Sequence, residues 1–405
     1  MVTASSRYQE RLAQVEKVLL IDRTSIDMPQ LRTACTFGIP DALRSLTWRL
    51  LLDYLPAQRD QWKPFLEAQR LNYDTMVDQL LSAGPSEPNE DHPLSDSSES
   101  EWGTFFDDNR ILAQIDKDCR RLRPEMQFFQ LPTMFPNRIS AKVSLSSRVV
   151  TANLQTEEFD IVKMKNREKR CSEEPEDLSA PEKHWQVCER ILFIYAKLNP
   201  GVKYVQGMNE VLGPLYYVFA ADSDAEWASY AEADAFYCFQ QLMSEIKDNF
   251  IKTLDNSSCG IESSMADFHS LVGKMDEELF AHLVEELKIS PQFYAFRWLS
   301  LLLSQEFPLP DVITIWDSLL ADSKRFTLLP YICLAMLQQQ RHFLIHADFS
   351  ECLHLLQNYP GVDVNQLVTA AISIRDEGQR PISSIKQHKR TLSDKLRDLS
   401  GYLKR

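Results

Sequence analysis

Residues 184–209 read HWQVCERILFIYAKLNPGVKYVQGMN, and the run holds a helix, its stop and a polar turn. Trp185, Cys188, Ile191, Leu192, Tyr195 and Leu198 fall on one stripe at helical spacing. Such spacing marks a helix with one face in a core. Asn199-Pro200-Gly201 ends the pattern, because proline lacks an amide donor and glycine weakens a helix. Tyr204 to Asn209 follows at once and sets Gln206 beside Gly207. In an isolated segment, a carboxamide next to glycine is more often a capping turn than a working group. The neighbours decide between the two.

Working outward, the chain keeps the same helical grammar. Residues 7–21 carry Leu12, Val15, Val18 and Leu19 on one face, and the turn Gly38-Ile39-Pro40-Asp41 opens a helix bearing Leu43, Leu46, Leu50 and Leu51. A third amphipathic pattern covers 62–81. The stretch from about 82 to 104 is rich in Ser, Pro, Glu and Asp and reads as a disordered connector. Ile111, Leu112, Ile115, Cys119 and Leu122 then mark a helix from Phe105 that should end before Pro124. A polar stretch over about 137–183, with a basic run at 163–170 and an acidic run at 173–177, reads as a solvated insertion. Beyond the opening stretch, helices are expected over 227–252, 265–288, 291–305, 309–321, 326–340 and 346–357. No alternating β-branched run demands a sheet, and no fixed-period repeat occurs. The expected class is all-α, with a flank at 1–35, a main domain at 36–360 and an extension at 361–405.

Composition narrows the function. The 405 residues carry a net charge of −14, which disfavours nucleic acid as a partner because phosphate backbones select basic surfaces. The charge is uneven: residues 380–405 hold eight Lys or Arg against two Asp, leaving −20 for the rest. Eight cysteines show no CxxC and no zinc-ligand spacing, so no metal is expected and a reducing, cytoplasmic setting fits. The most apolar uninterrupted stretch, Val211 to Ala221, has 11 residues, too few to span a bilayer. The first residues form no apolar signal region.

A second motif gives Gln206 company. Ile115, Asp118 and Arg121 follow the spacing IxxDxxR, which on a helix puts the carboxylate and the guanidinium on one face. Alone, that is an ordinary surface pair worth a few tenths of a kcal/mol at most. Together with Gln206 it offers the two groups GTP hydrolysis needs most: a carboxamide to orient water and an arginine to stabilise charge on the phosphoryl group. No GxxxxGK[ST] phosphate loop occurs in the chain. The helpers are present without the nucleotide cradle, which points to another protein's GTP.

These residues resemble the arginine-finger and glutamine-finger motifs of the TBC-domain family of Rab GTPase-activating proteins. Gly38 to Trp48 is similar to that family's opening segment. Phe296-Arg297-Trp298, Gln305-Glu306-Phe307-Pro308 and Ile315-Trp316-Asp317 are similar to its C-terminal half. The matches keep the family's order over residues 36 to 320. The resemblance implies the TBC fold of two helical subdomains with the fingers facing a shared groove. Arg121 and Gln206 are then the catalytic pair supplied in trans to a GTP-bound Rab-family GTPase in membrane traffic. No cofactor is implied, since the nucleotide and Mg²⁺ belong to the partner. The family register picks Arg121 over Arg120 and Arg123, with Pro124 in step; Leu122 departs from the Thr common at its place. Relative to the family, the 137–183 insertion is extra.

Supporting roles follow. Asp118 should hold Arg121 at an angle suited to phosphate. Tyr204 should wedge the turn against the core, Gly207 should allow a partner's close approach, and Asn209 should cap the next helix, which Pro214 should make irregular. Arg44 and Trp48, four apart, are expected to stack in a cation–π contact. Trp298, Glu306, Phe307, Trp316 and Asp317 read as core and polar struts. The tail, with Leu392, Leu396, Leu399 and Leu403 on one stripe, should dock on the domain or lie on an anionic membrane. The competing reading is a non-catalytic helical adapter that binds a Rab; such family members typically lack one or both fingers.

Overall fold

The structure is a computed structural model, and it describes residues 4–20, 24–82, 101–137, 145, 181–251 and 260–378. Among these residues there is no strand; two isolated bridges, Ser25 with Gln58 and Pro132 with Lys183, are the whole of the extended pairing. Leaving aside α-helices of 5 residues or fewer, the helices of the first half are α1 (Ala4–Leu19), α2 (Met28–Cys35), α3 (Asp41–Leu51), α4 (Trp62–Ser82), α5 (Glu101–Arg120), α6 (His184–Leu198), α7 (Met208–Ala220) and α8 (Ala231–Ile246). Those of the second half are α9 (Ile261–Met275), α10 (Ala295–Ser300), α11 (Leu309–Ala321), α12 (Leu329–Gln339), α13 (Phe349–Gln357) and α14 (Val364–Gly378).

Packing divides them into two subdomains. In one, α5 lies on α6, α7 on α8, and α4 across α6 and α8. In the other, α12 packs on α14, α9 and α10, and α14 also meets α11. The halves are joined where α3 and α11 both touch α7, while α2 caps α11. Their buried apolar side chains run together as one cluster from Val15 to Ile372. Burial on this scale is the main drive to fold.

Two buried carboxylates fasten the joints. Asp234, fully buried on α8, accepts from Arg49 Nε of α3 at 2.9 Å, Arg70 Nη2 of α4 at 3.0 Å and Tyr54 Oη at 2.8 Å. The Arg49 guanidinium also lies 4.2 Å from the Phe219 ring centroid and 4.6 Å from that of Trp227. Asp317 on α11 accepts from Ile39 N at 2.9 Å, Trp48 Nε1 at 2.7 Å and Arg44 Nε at 3.1 Å. Burial pushes the Asp317 carboxyl up to about 6, against the pull of Arg44 and these donors. Arg44 and Trp48 therefore meet through a shared carboxylate, not by the expected stacking; the ring that lies by Trp48 is Trp316, 6.0 Å away. Trp298, Glu306, Phe307 and Trp316 are core and struts as expected, with Arg297 Nε held by Glu306 Oε1 at 2.5 Å.

Several boundaries differ from the sequence reading. α5 already begins at Glu101 and α4 runs to Ser82, so only 83–100 of the expected connector remains, and that stretch lies outside the described residues. Of the expected insertion, residues 138–144 and 146–180 lie outside them too, but both ends are fixed. Thr133 N donates to Glu182 O at 2.8 Å and His184 N to Leu131 O at 3.1 Å, bringing the two ends side by side. The helix expected over 291–305 stops at Ser300, because Leu302 and Leu303 take left-handed φ values of 51° and 60°. The turn presents the Leu302 carbonyl to buried Trp316 Nε1 at 3.0 Å. Residues 364–378 form α14, packed on α12. The basic tail lies beyond the described residues.

Candidate functional site

Ile115 is fully buried and fixes the rotation of α5, so Asp118, three residues on, turns toward the neighbouring loop. Its side chain is only 3% exposed. Oδ1 accepts from Arg121 Nη2 at 3.1 Å; Oδ2 accepts from Gln114 Nε2 at 3.0 Å and from Tyr204 Oη at 2.8 Å. Burial first, then the nearby Cys119 and Asp118, push the Tyr204 phenol far up, so it stays a donor. One carboxylate thus ties the end of α5 to the loop that carries Gln206.

The three arginines at this helix end have separate fates. Arg120 Nε donates to Asp116 Oδ2 at 2.8 Å, and its guanidinium lies 4.4 Å from the Trp185 ring centroid. Arg123 is buried, with a left-handed φ of 49°, and donates to the carbonyls of Phe307, at 3.1 Å, and Ser304. Arg121 sits just past the helix, its Nε on Lys117 O at 3.0 Å, and its side chain remains 70% exposed. Of the three, it is the arginine that enters the groove between the halves.

Gln206 is exposed and lines the same groove, a space of about 550 Å³. Gly207 has φ 105°, and a Cβ there would come within 2.8 Å of Leu301 Cδ2. The close approach seen in the structure is to its own chain just past α10. Asn209 is also used differently from the expectation: it lies buried in the first turn of α7, where Gly207 holds the N-cap position and gives no side-chain cap. Its Nδ2 reaches back to the Asp118 carbonyl at 3.4 Å, and its Oδ1 lies 3.3 Å from Tyr204 Oη. Tyr204 is partly buried against the core, as a wedge would be. Pro214 is accommodated inside α7.

The opposite wall comes from the second half of the chain: Phe296, Arg297 and Ser300 of α10, then Leu301 and Gln305. Glu210 and Phe250 also line the groove. Burial pushes the Glu210 carboxyl above its ordinary range, against Arg123, whose Nε stands 3.5 Å away. Sequence reasoning named Phe296, Arg297 and Gln305 only within segments similar to the family's C-terminal half and gave the wall no role in the groove. A helix of six residues is too short to show which side faces out. Among the described residues no cluster of His, Cys, Asp or Glu is arranged to hold a metal, and no helix is long and apolar enough to cross a membrane.

Known proteins are similar to this chain. The model of the Rab-GTPase-TBC domain matches residues 156–345, a span that holds Gln206 and begins after Arg121. TBC1 domain family member 13 of Homo sapiens is 44% identical over 400 residues, covering 92% of this chain and 99% of that protein. A TBC domain-containing protein of Schizosaccharomyces pombe is 34% identical over 457 residues, covering 91% and 73% respectively. Among solved structures, the Ypt/Rab-GAP domain of Gyp1p superposes with a TM-score of 0.66 over 92% of this chain and 99% of that one; at 23% identity the likeness is one of fold.

Proposed function

The chain belongs to the Rab-GTPase-TBC family, and from that premise we propose that it accelerates GTP hydrolysis on a GTP-bound Rab-family GTPase. One observation carries the reading. An exposed guanidinium and an exposed carboxamide, 85 positions apart in the chain (121 against 206), line one open groove, and Asp118 holds both Arg121 and Tyr204, two residues before Gln206. In the proposed mechanism Arg121 reaches the β/γ-phosphate region and stabilises charge as the bond to the leaving oxygen breaks. Gln206 holds the attacking water in place of the GTPase's own glutamine. Most of such a catalyst's effect is positioning and electrostatics, and an arginine supplied in trans is worth about 10³–10⁵ in rate.

Asp118 acts through Arg121. The ion pair restricts a long side chain before the GTPase arrives, which lowers the entropy lost on engagement. Ile115, Tyr204, Gly207 and Asn209 hold the two elements in register, while Arg44 and Trp48 fasten the joint between the halves from below. The nucleotide and Mg²⁺ are the GTPase's, so this chain requires no cofactor. It works from the cytoplasm, at membranes while its GTPase resides there.

The test is single-turnover GTP hydrolysis by a panel of Rab-family GTPases with the wild-type chain, Arg121→Ala and Gln206→Ala. Acceleration of at least one GTPase, lost in both variants, is the expected result. A GTPase that binds the chain and hydrolyses GTP no faster would make the protein an adapter instead.

A further inference from the structure

Opposite the fingers, the short helix α10 divides its residues sharply between core and groove. Ala295, Trp298 and Leu299 are buried, whereas Phe296 is 45% exposed and lies on the groove. Its neighbour Arg297 is pinned by Glu306 and by the Gln357 carbonyl at 2.8 Å, so the helix cannot easily roll to hide the ring. Leu301 and Phe250 continue the apolar strip from Phe296 along the groove. Buried Ser300, at the foot of the same wall, has a hydroxyl with no hydrogen-bond partner in the free protein. A single exposed aromatic is ordinary, but one continuous with other apolar lining of an open groove suits a binding anchor.

We propose that Phe296 is a docking anchor on this wall, taking an apolar side chain from the switch region of the GTP-bound GTPase while Arg121 and Gln206 approach the nucleotide. The inference rests on the function proposed above and names the partner surface that meets its second wall. The occupant follows from continuity. Whatever places a γ-phosphate against Arg121 also fills the 550 Å³ groove, and the segments ordered around a γ-phosphate are the switch loops. A ring that contributes to docking and lies outside the phosphate chemistry strengthens ground-state and transition-state binding alike. It therefore acts on KM and leaves kcat.

The experiment measures equilibrium binding of the full chain to Rab-family GTPases loaded with a non-hydrolysable GTP analogue, alongside KM and kcat for GTP-loaded ones. Phe296→Ala should raise Kd and KM about tenfold or more, the scale of a single anchor. The expected kcat is within about twofold of wild type and the Tm is unchanged, and Phe296→Leu should recover most of the binding. Binding by Phe296→Ala equal to wild type overturns the inference, even if Arg121→Ala abolishes acceleration and the proposed function stands. The converse result, weaker binding without any acceleration by the wild-type chain, keeps the docking wall and removes the catalytic reading.

Discussion

Asp118 and Asp234 are both buried aspartates that hold arginines, yet they serve opposite ends. Asp234 lies among Arg49, Arg70 and Tyr54, and the Arg49 side chain is as buried as the carboxylate. Every charge there is committed to joining α3, α4 and α8. Asp118 is as well enclosed, but its arginine points outward and keeps 70% of its side-chain surface. The same pair chemistry gives a strut in one place and an aimed, available cation in the other. What differs is the second half of the pair: Arg49 continues onto aromatic rings, whereas among the described residues Arg121 meets its own helix end and then open groove.

The contrast can be broken at either end. Arg121→Ala should lower single-turnover hydrolysis by about 10³-fold or more, while its Tm stays within about 2–4 °C of wild type, because the guanidinium is largely exposed and the enclosed Asp118 keeps its donors Gln114 and Tyr204. A large loss of Tm would make Arg121 a strut like Arg49. Asp234→Ala should do the reverse, destabilising the fold by about 3–5 kcal/mol because it leaves buried guanidinium groups uncompensated. Urea unfolding measures this, and a loss below about 1 kcal/mol would remove Asp234 from its structural role.

Gly207→Ala sharpens the groove side. A φ of 105° and a Cβ 2.8 Å from Leu301 are both unfavourable to any side chain, at a cost of about 1–3 kcal/mol. Activity should fall more than stability accounts for, since relief of the strain re-aims Gln206. Equal activity per folded molecule would separate the loop geometry from catalysis.

The smallest expected effect is a pH dependence confined to the structural side. Burial holds His184 down at about 4, with its Nδ1 2.7 Å from Tyr216 Oη and its ring stacked 4.0 Å from Phe128. In the unfolded chain it titrates near 6.5, so between those values the unfolded state binds the extra proton. Its contribution is therefore complete above 6.5 and is lost as pH falls toward 4. Asp317, raised to about 6, works in the opposite direction, so total stability is not the right readout. The stability gap between wild type and His184→Gln should narrow from pH 7 to pH 5; a constant gap would contradict the buried, neutral imidazole.

Local signals announced the helices, and tertiary ones set the rest. The 184–198 helix appears where its periodicity puts it, and Pro200-Gly201 ends it, but it is buried on nearly every side instead of on one stripe, and Leu198 of the expected stripe is 42% exposed. Leu301-Leu302-Leu303 carries no breaker, yet the chain turns there, because the Leu302 carbonyl is needed by Trp316 and Leu301 is needed against Gly207. Asp317 was legible as a strut, but not as the carboxylate that joins Arg44 to Trp48 across more than 260 positions. The two motifs that meet in the groove could be picked out because each keeps its spacing within a short stretch of chain. The wall built by Phe296 was not, since its exposure depends on which helices leave it uncovered.

The most direct measurement takes the GTPase found in the panel and replaces that GTPase's own water-orienting glutamine with alanine. If this chain supplies the missing carboxamide, wild-type protein will still accelerate hydrolysis on the altered GTPase, and Gln206→Ala will not. If the wild-type chain is inert on it while remaining active on the unaltered GTPase, Gln206 does not orient the water, and the two-finger account of the groove is wrong.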